Sequence, residues 1–156
     1  MKVLISSCLA GVNCVYHGKN NELPELRELL DSGQAVLACP EVLGGLPVPR
    51  DPCEIFEGRV VSSKGADCTE QFRKGAEATL ALCRRHKIRY ALLKFRSPSC
   101  GSGLIYDGTF SHAFVEGDGV AAALLKENGI QVFHERQLGE FFAAVGMERE
   151  KERGDG

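Results

Sequence analysis

Three short apolar runs in this chain each end at a cysteine in turn-forming sequence. Leu4-Ile5 leads into Ser6-Ser7-Cys8-Leu9-Ala10-Gly11, and Val36-Leu37-Ala38 leads into Cys39-Pro40-Glu41. The third run ends in Leu93-Lys94-Phe95-Arg96 and meets Ser97-Pro98-Ser99-Cys100-Gly101. Continuous apolar runs of this length, bounded by turn signals, read as strands buried on both faces. Each cysteine then stands just past the end of a buried strand. In an open α/β sheet, the crevice beyond the carboxyl ends of the strands is where ligands bind. Three thiolates converging on one such crevice can hold an iron–sulfur cluster and leave one iron free for chemistry.

The intervening sequence supplies helices. Buried strands are expected over residues 2–6, 35–38, 90–93 and 130–133. Apolar residues at 23, 26, 29 and 30 have helical spacing, with Pro24 tolerated in the first turn and Asp31-Ser32-Gly33 as the stop. Longer helices are expected over 72–86, 119–128 and 137–145, with Thr69 a plausible N-cap for the first and Asn128-Gly129 a left-handed stop for the second. A small hairpin around Glu57-Gly58 is expected within 54–61. Residues 9–21 and 101–110 are Gly-rich and read as loops. Residues 41–52 hold Gly44-Gly45 and three prolines, so they cannot continue a helix or a central strand. That segment, lying beside Cys39, is expected to cover the site.

Strands alternating with helices predict a three-layer α/β sandwich, Rossmann-like, with a mostly parallel central sheet and the site at the C-terminal ends of its strands. Residues 1–147 are expected to form one domain, and the charged stretch 148–156 a frayed tail. The chain of 156 residues is 44% hydrophobic and carries a net charge of −2, which does not favour nucleic acid or an anionic membrane as the main partner. No apolar run approaches the ~20 residues of a transmembrane helix, and the N-terminal run is too short for a signal peptide, so a cytosolic location is expected. Seven cysteines, an odd count without a Cys-x-x-Cys pair, point to metal binding or catalysis rather than to disulfides, a zinc ribbon or a thioredoxin-like site.

The remaining cysteines carry less weight. Cys83 falls on the buried face of a helix, Cys68 precedes a helix start, and Cys53 follows Pro52. Cys14, six residues after Cys8, is the credible rival as a fourth ligand, and a site it closed would suit electron transfer, sensing or structure.

The segments Ser7-Cys8-Leu9-Ala10-Gly11 with Tyr16 and Gly18, Cys39 through Pro47 with Pro49-Arg50, and Ser97 through Gly101 together resemble the domain of unknown function 523 family. Gly117-Asp118-Gly119-Val120 and Leu124-Leu125 match its later part, so the resemblance covers residues 2 to about 145. That family includes the thiouracil desulfurases, which hold a 4Fe–4S cluster on three cysteines and bind the substrate sulfur on the free iron. The resemblance implies that Cys8, Cys39 and Cys100 are the ligands and that Glu41 is the acid/base group. It also implies a thiolated nucleobase or related heterocycle as substrate, non-redox removal of its sulfur, and dependence on cluster-assembly machinery. Around Tyr16 the family pattern has an Arg and an Asp where this chain has Val15 and His17, a departure that bears on the substrate more than on the cluster.

Read from their chemistry, the other candidates keep two roles each. The Ser97 hydroxyl can orient a substrate or stabilise developing charge, with Ser99 its rival, or either can cap the turn beside Pro98. Arg50 can hold a substrate carbonyl or anion, or pair with Glu54 to fix the loop. Tyr16 can stack on a flat heterocycle or pack within its loop. The alternative function is an iron–sulfur sensing, sulfur-carrier or electron-transfer module with a closed cluster. A structural zinc site is a weaker third reading.

Overall fold

The computed structural model describes residues 1–154. Four parallel strands form the central sheet: β1 (Val3–Ser6), β2 (Ala35–Ala38), β5 (Tyr90–Leu93) and β8 (Gln131–His134), in the order β2-β1-β5-β8. Two antiparallel hairpins stand apart from it, β3 (Cys53–Phe56) with β4 (Arg59–Ser62), and β6 (Leu104–Tyr106) with β7 (Phe114–Glu116). The helices are α1 (Arg27–Asp31), α2 (Pro40–Leu43), α3 (Thr69–Arg85), α4 (Val120–Glu127) and α5 (Leu138–Gly154).

The inner strands β1 and β5 are buried because alternate residues face opposite helical layers, whereas β2, expected to be buried, and β8 lie at the sheet edges and are partly exposed. Leu4, Ala91 and Leu93 join Leu80, Cys83, Ala122 and Leu125 in one core, under α3 and α4. Val3, Ile5 and Leu92 join Leu26, Leu29, Phe141 and Val145 in the other, under α1 and α5. This two-sided burial accounts for the unbroken apolar runs in β1 and β5. It is the expected three-layer sandwich. A third, smaller core of Cys53, Val60, Cys68 and Phe72 fixes the β3–β4 hairpin on α3.

The strand order sets the position of the site. The chain leaves β1 toward β2 on one side, then crosses back over β1 to reach β5 and β8 on the other. The connections therefore diverge between β1 and β5, and a crevice opens at the carboxyl ends of that pair.

Three segments differ from expectation. Pro40–Leu43 is a short helix where a loop was expected, because Pro40 occupies the first helical position, where its missing N–H is no loss. The expected loop over 101–110 contains β6, whose partner β7 comes from farther along the chain. Helix α5 continues through the charged stretch to Gly154, beyond the expected end at 145 and into the expected frayed tail, while residues 155 and 156 lie outside the described residues. No helix among the described residues is long and apolar enough to cross a membrane.

Candidate active site

Beyond the carboxyl edge of the sheet lies a cavity of about 550 Å³, lined by Cys8, Cys39 and Cys100 together with Glu41, Arg50, Ser97, Ser99 and Tyr16. Every sequence-predicted site residue borders this one space. Cys8 sits in the 3₁₀ turn Ser7–Ala10 that follows β1 directly. Cys39 is the residue between β2 and α2. Cys100 follows β5 at the end of the Ser-Pro-Ser turn.

That turn is held from both ends. The Ser97 hydroxyl accepts the backbone N–H groups of Ser99 (3.1 Å) and Cys100 (3.0 Å). Its carbonyls are met by the start of α4, where Val120 N donates to Pro98 O (2.9 Å) and Ala121 N to Ser99 O (2.9 Å). The helix thus satisfies its own unpaired N–H groups on the turn. The approach requires glycine at 119, since a Cβ there would lie 2.6 Å from the Ser99 carbonyl carbon and oxygen. This accounts for the Gly-Asp-Gly-Val segment at the head of α4.

Glu41 lies in the first turn of α2 and is mostly shielded from solvent. One carboxylate oxygen accepts from Arg50 Nε at 3.1 Å and the other from Ser99 Oγ at 2.8 Å. Ser99 Oγ is in turn 2.9 Å from Ser97 Oγ and 3.8 Å from Cys100 Sγ. Ser99 Oγ is therefore a junction, joining Glu41 to Ser97 on one side and to the edge of Cys100 on the other. The Arg50 side chain is 6% exposed and fully engaged, donating also to Pro47 O (3.1 Å) and Cys14 O (2.9 Å). Its expected pairing with Glu54 does not occur. The Glu54 carboxylate instead accepts from the backbone N–H groups of Gly108 (3.0 Å) and Phe110 (3.2 Å), tying the β6–β7 hairpin to β3.

The thiols differ in environment. Cys100 is buried, which pushes its thiol up to about 12, against hydrogen bonds from Ser6 Oγ (3.3 Å) and Ser99. Cys39 is lowered to about 6, chiefly because the Cys14 thiol donates to it. Cys8 is lowered for the same first reason, and Cys14 itself is raised as the shared donor. Cys14 therefore stands against two of the three predicted ligands, its place as their rival kept in space. Cys53 also borders the cavity but belongs with Cys68 to the packing under the β3–β4 hairpin, and Cys83 to the core under α3.

The donor set on this wall is soft sulfur, suited to iron–sulfur clusters or zinc. No three His, Cys, Asp or Glu side chains among the described residues are placed to hold a single metal ion. That is consistent with a group of several irons, whose thiolates stand farther apart than those around one ion, in a cavity of about 550 Å³.

Several lining residues carried no signal in the sequence. Lys94, Phe95 and Arg96 leave β5 at the same edge, so the strand-end rule that singled out the cysteines reaches them too. Tyr106, Phe110 and His112 arrive over the cavity on the β6–β7 hairpin. Their placement depends on a pairing that no local pattern announces. His17 borders the mouth, exposed, with its ring 4.9 Å from that of Tyr16.

Comparison with known proteins gives the family of the chain. Residues 3–137 match the family model described as 2-thiouracil desulfurase. A relative in Bacillus subtilis (strain 168), the uncharacterized protein YbbK, is 44% identical over 146 residues, covering 87% of this chain and 97% of its own. The solved structure of the 4Fe–4S-dependent thiouracil desulfidase TudS (DUF523Vcz) superposes with a TM-score of 0.91 at 45% identity, covering 94% of this chain and 98% of TudS. With its fold in common with TudS and residues 3–137 matching the family model, the chain belongs to the 2-thiouracil desulfurase family.

Proposed function

We propose that this protein is a 4Fe–4S-dependent desulfurase that removes sulfur from thiouracil or a closely related thiolated heterocycle without net redox change. The observation that carries the reading is the Glu41 carboxylate, held between Arg50 and Ser99 on the wall of the cavity that three strand-end thiols share. Cys8, Cys39 and Cys100 would hold the cluster. When bound, the cluster would supply Lewis-acid chemistry toward the substrate sulfur, polarising the C–S bond.

The protein's own residues then have distinct tasks. Glu41, held against Arg50 by its 3.1 Å contact, accepts a proton from water as that water attacks the carbon bearing sulfur. Arg50 is a positioning residue, since each of its three nitrogens already donates within the protein, to Glu41 and to two carbonyls. Ser99 and Ser97 pass a proton between Glu41 and the reacting centre along their 2.9 Å contact. Tyr16, 42% exposed at the mouth, offers a flat face to the heterocycle.

The test is anaerobic reconstitution with iron and sulfide, followed by measurement of sulfide released from thiouracil. Release with uracil as the other product is expected. Robust cluster assembly with no release from any thio-base would move the protein to the sensing or carrier class.

One observation favours that second reading. The Cys14 thiol contacts both Cys8 and Cys39, close enough for a fourth ligand. Replacing Cys14 with Ser separates the two. An open site keeps its visible absorption and sulfide release within about threefold. A closed site loses cluster absorption, and iron content falls with it.

A further inference from the structure

The charges around the cavity are paired with one exception. Glu41 is met by Arg50, and Lys94 Nζ lies 2.9 Å from Glu135 Oε1, whose carboxylate also accepts the Phe95 N–H. Glu54 is taken up by two backbone amides. Arg96 borders the same cavity, yet among the described residues its side chain makes no hydrogen bond and no ion pair. Its Nε is buried without an acceptor. Its guanidinium carbon lies 4.3 Å from the centre of the Phe114 ring and 4.9 Å from that of Phe95. Its backbone is left-handed, with φ at +67°, a conformation a bulky side chain adopts only where the surroundings impose it.

A guanidinium packed against rings presents its N–H edge as the polar surface that remains. What fits that edge is an oxygen acceptor, neutral or anionic, on a flat molecule. Arg96 is the residue immediately before Ser97, so an oxygen held there belongs to a ligand that also reaches the serine turn. We propose that Arg96 binds an exocyclic ring oxygen of the substrate and thereby selects oxo-substituted thiopyrimidines over thiopyrimidines that lack the oxygen. This rests on the desulfurase reading and adds the feature of the substrate that is recognised. A site built to hydrogen-bond an oxygen discriminates against an analogue without it, because the buried donor is then left unpaired.

The test sets three ligands against the wild type and two variants. Calorimetry measures binding of uracil, 4-thiouracil and pyrimidine-4-thione to the reconstituted holoenzyme, wild type and Arg96→Gln. Sulfide release from the two thiones is measured in parallel. Arg96→Gln is expected to weaken uracil and 4-thiouracil roughly 10- to 100-fold, the span of a hydrogen bond to a charged donor. The loss should appear mainly in KM, and pyrimidine-4-thione should bind both proteins within about twofold. Arg96→Lys, which keeps the charge but not the fork, should fall between. Equal losses on all three ligands would assign Arg96 to the fold, and no loss on any would overturn the proposal outright. A wild type that binds 4-thiouracil but releases no sulfide removes the desulfurase reading alone, and the binding arm still decides Arg96.

Discussion

Glu41→Gln is expected to abolish sulfide release while the reconstituted protein keeps its visible cluster absorption. The substitution preserves the volume of the side chain, and Glu41 lies two residues beyond Cys39 without being a thiol donor, so the three ligands stay in place. What changes is the proton. A positioned general base contributes roughly 10²- to 10⁴-fold, and an amide cannot accept a proton at neutral pH. The hydrogen bonds are also set against it. Both Glu41 oxygens accept, one from Arg50 Nε and one from Ser99 Oγ. An amide offers one oxygen and one NH₂, so either Arg50 faces a donor or Ser99 must turn its hydroxyl away.

The structural cost is separable from the chemical one. Arg50 and Glu41 side chains are 6% and 13% exposed, and removing one charge of a buried pair costs on the order of 3–5 kcal/mol when the other is left uncompensated. Arg50 retains two carbonyl acceptors, Pro47 O and Cys14 O, which softens that loss. The checks are sulfide release, absorption and thermal unfolding on one preparation. Full activity in Glu41→Gln would remove the assigned role. Bleached absorption would mean that Glu41 acts through the ligand loop. Glu41→Asp, which keeps the charge on a shorter arm, should hold the cluster and recover part of the rate if proton transfer is the issue.

The parts of this molecule that sequence made legible are those fixed by local chemistry. The runs 35–38 and 90–93 are strands β2 and β5 with the same bounds, because a short apolar run closed by turn-forming residues marks a strand even where, as in β2 at the sheet edge, it is only partly buried. Cys8, Cys39 and Cys100 were separable from the other four because a strand end is marked on both sides, by apolar residues before it and by Gly, Pro or Ser after it. Arg50 was misjudged in its partner because Glu54 is near it in sequence, whereas Glu41 comes close only when the 41–52 segment folds back. The strand-end rule places Arg96 at the edge of the cavity, but its surroundings were hidden for a related reason. A lone arginine near a strand end looks solvated until β6 and β7 bring Phe114 against it. What the sequence hides is the pairing of distant loops, and the substrate's side of the cavity is made of them.

Replacing Gly75 with Ala should cost both stability and activity, though nothing chemical lies at that position. Gly75 sits in the middle of α3 and faces α2, and a Cβ there would overlap the Pro40 carbonyl oxygen. The contact is reciprocal, since a Cβ at Gly44 would overlap the Gln71 carbonyl oxygen on α3. The two backbones touch, and neither clash can be relieved by turning a side chain. Two effects then compete in Gly75→Ala. Ala is better than Gly in a helix interior by about 1 kcal/mol. Overpacking costs about 1–3 kcal/mol, occasionally more, and a backbone–backbone overlap belongs at the upper end. The clash wins, and a net loss near 2 kcal/mol lowers Tm by roughly 4–8 °C in a chain of this size. The larger effect is on rate. Relief comes by moving α2 away from α3, and α2 carries Pro40 and Glu41 directly after Cys39, one of the three proposed ligands. A displacement of about 1 Å at reacting groups costs on the order of 10²-fold. Sulfide release should therefore fall by about that factor in protein that still melts cooperatively, with iron content reduced if Cys39 follows the helix. An unchanged rate with a raised Tm would mean that propensity wins and that α2 is not seated on α3 as tightly as its two glycines require.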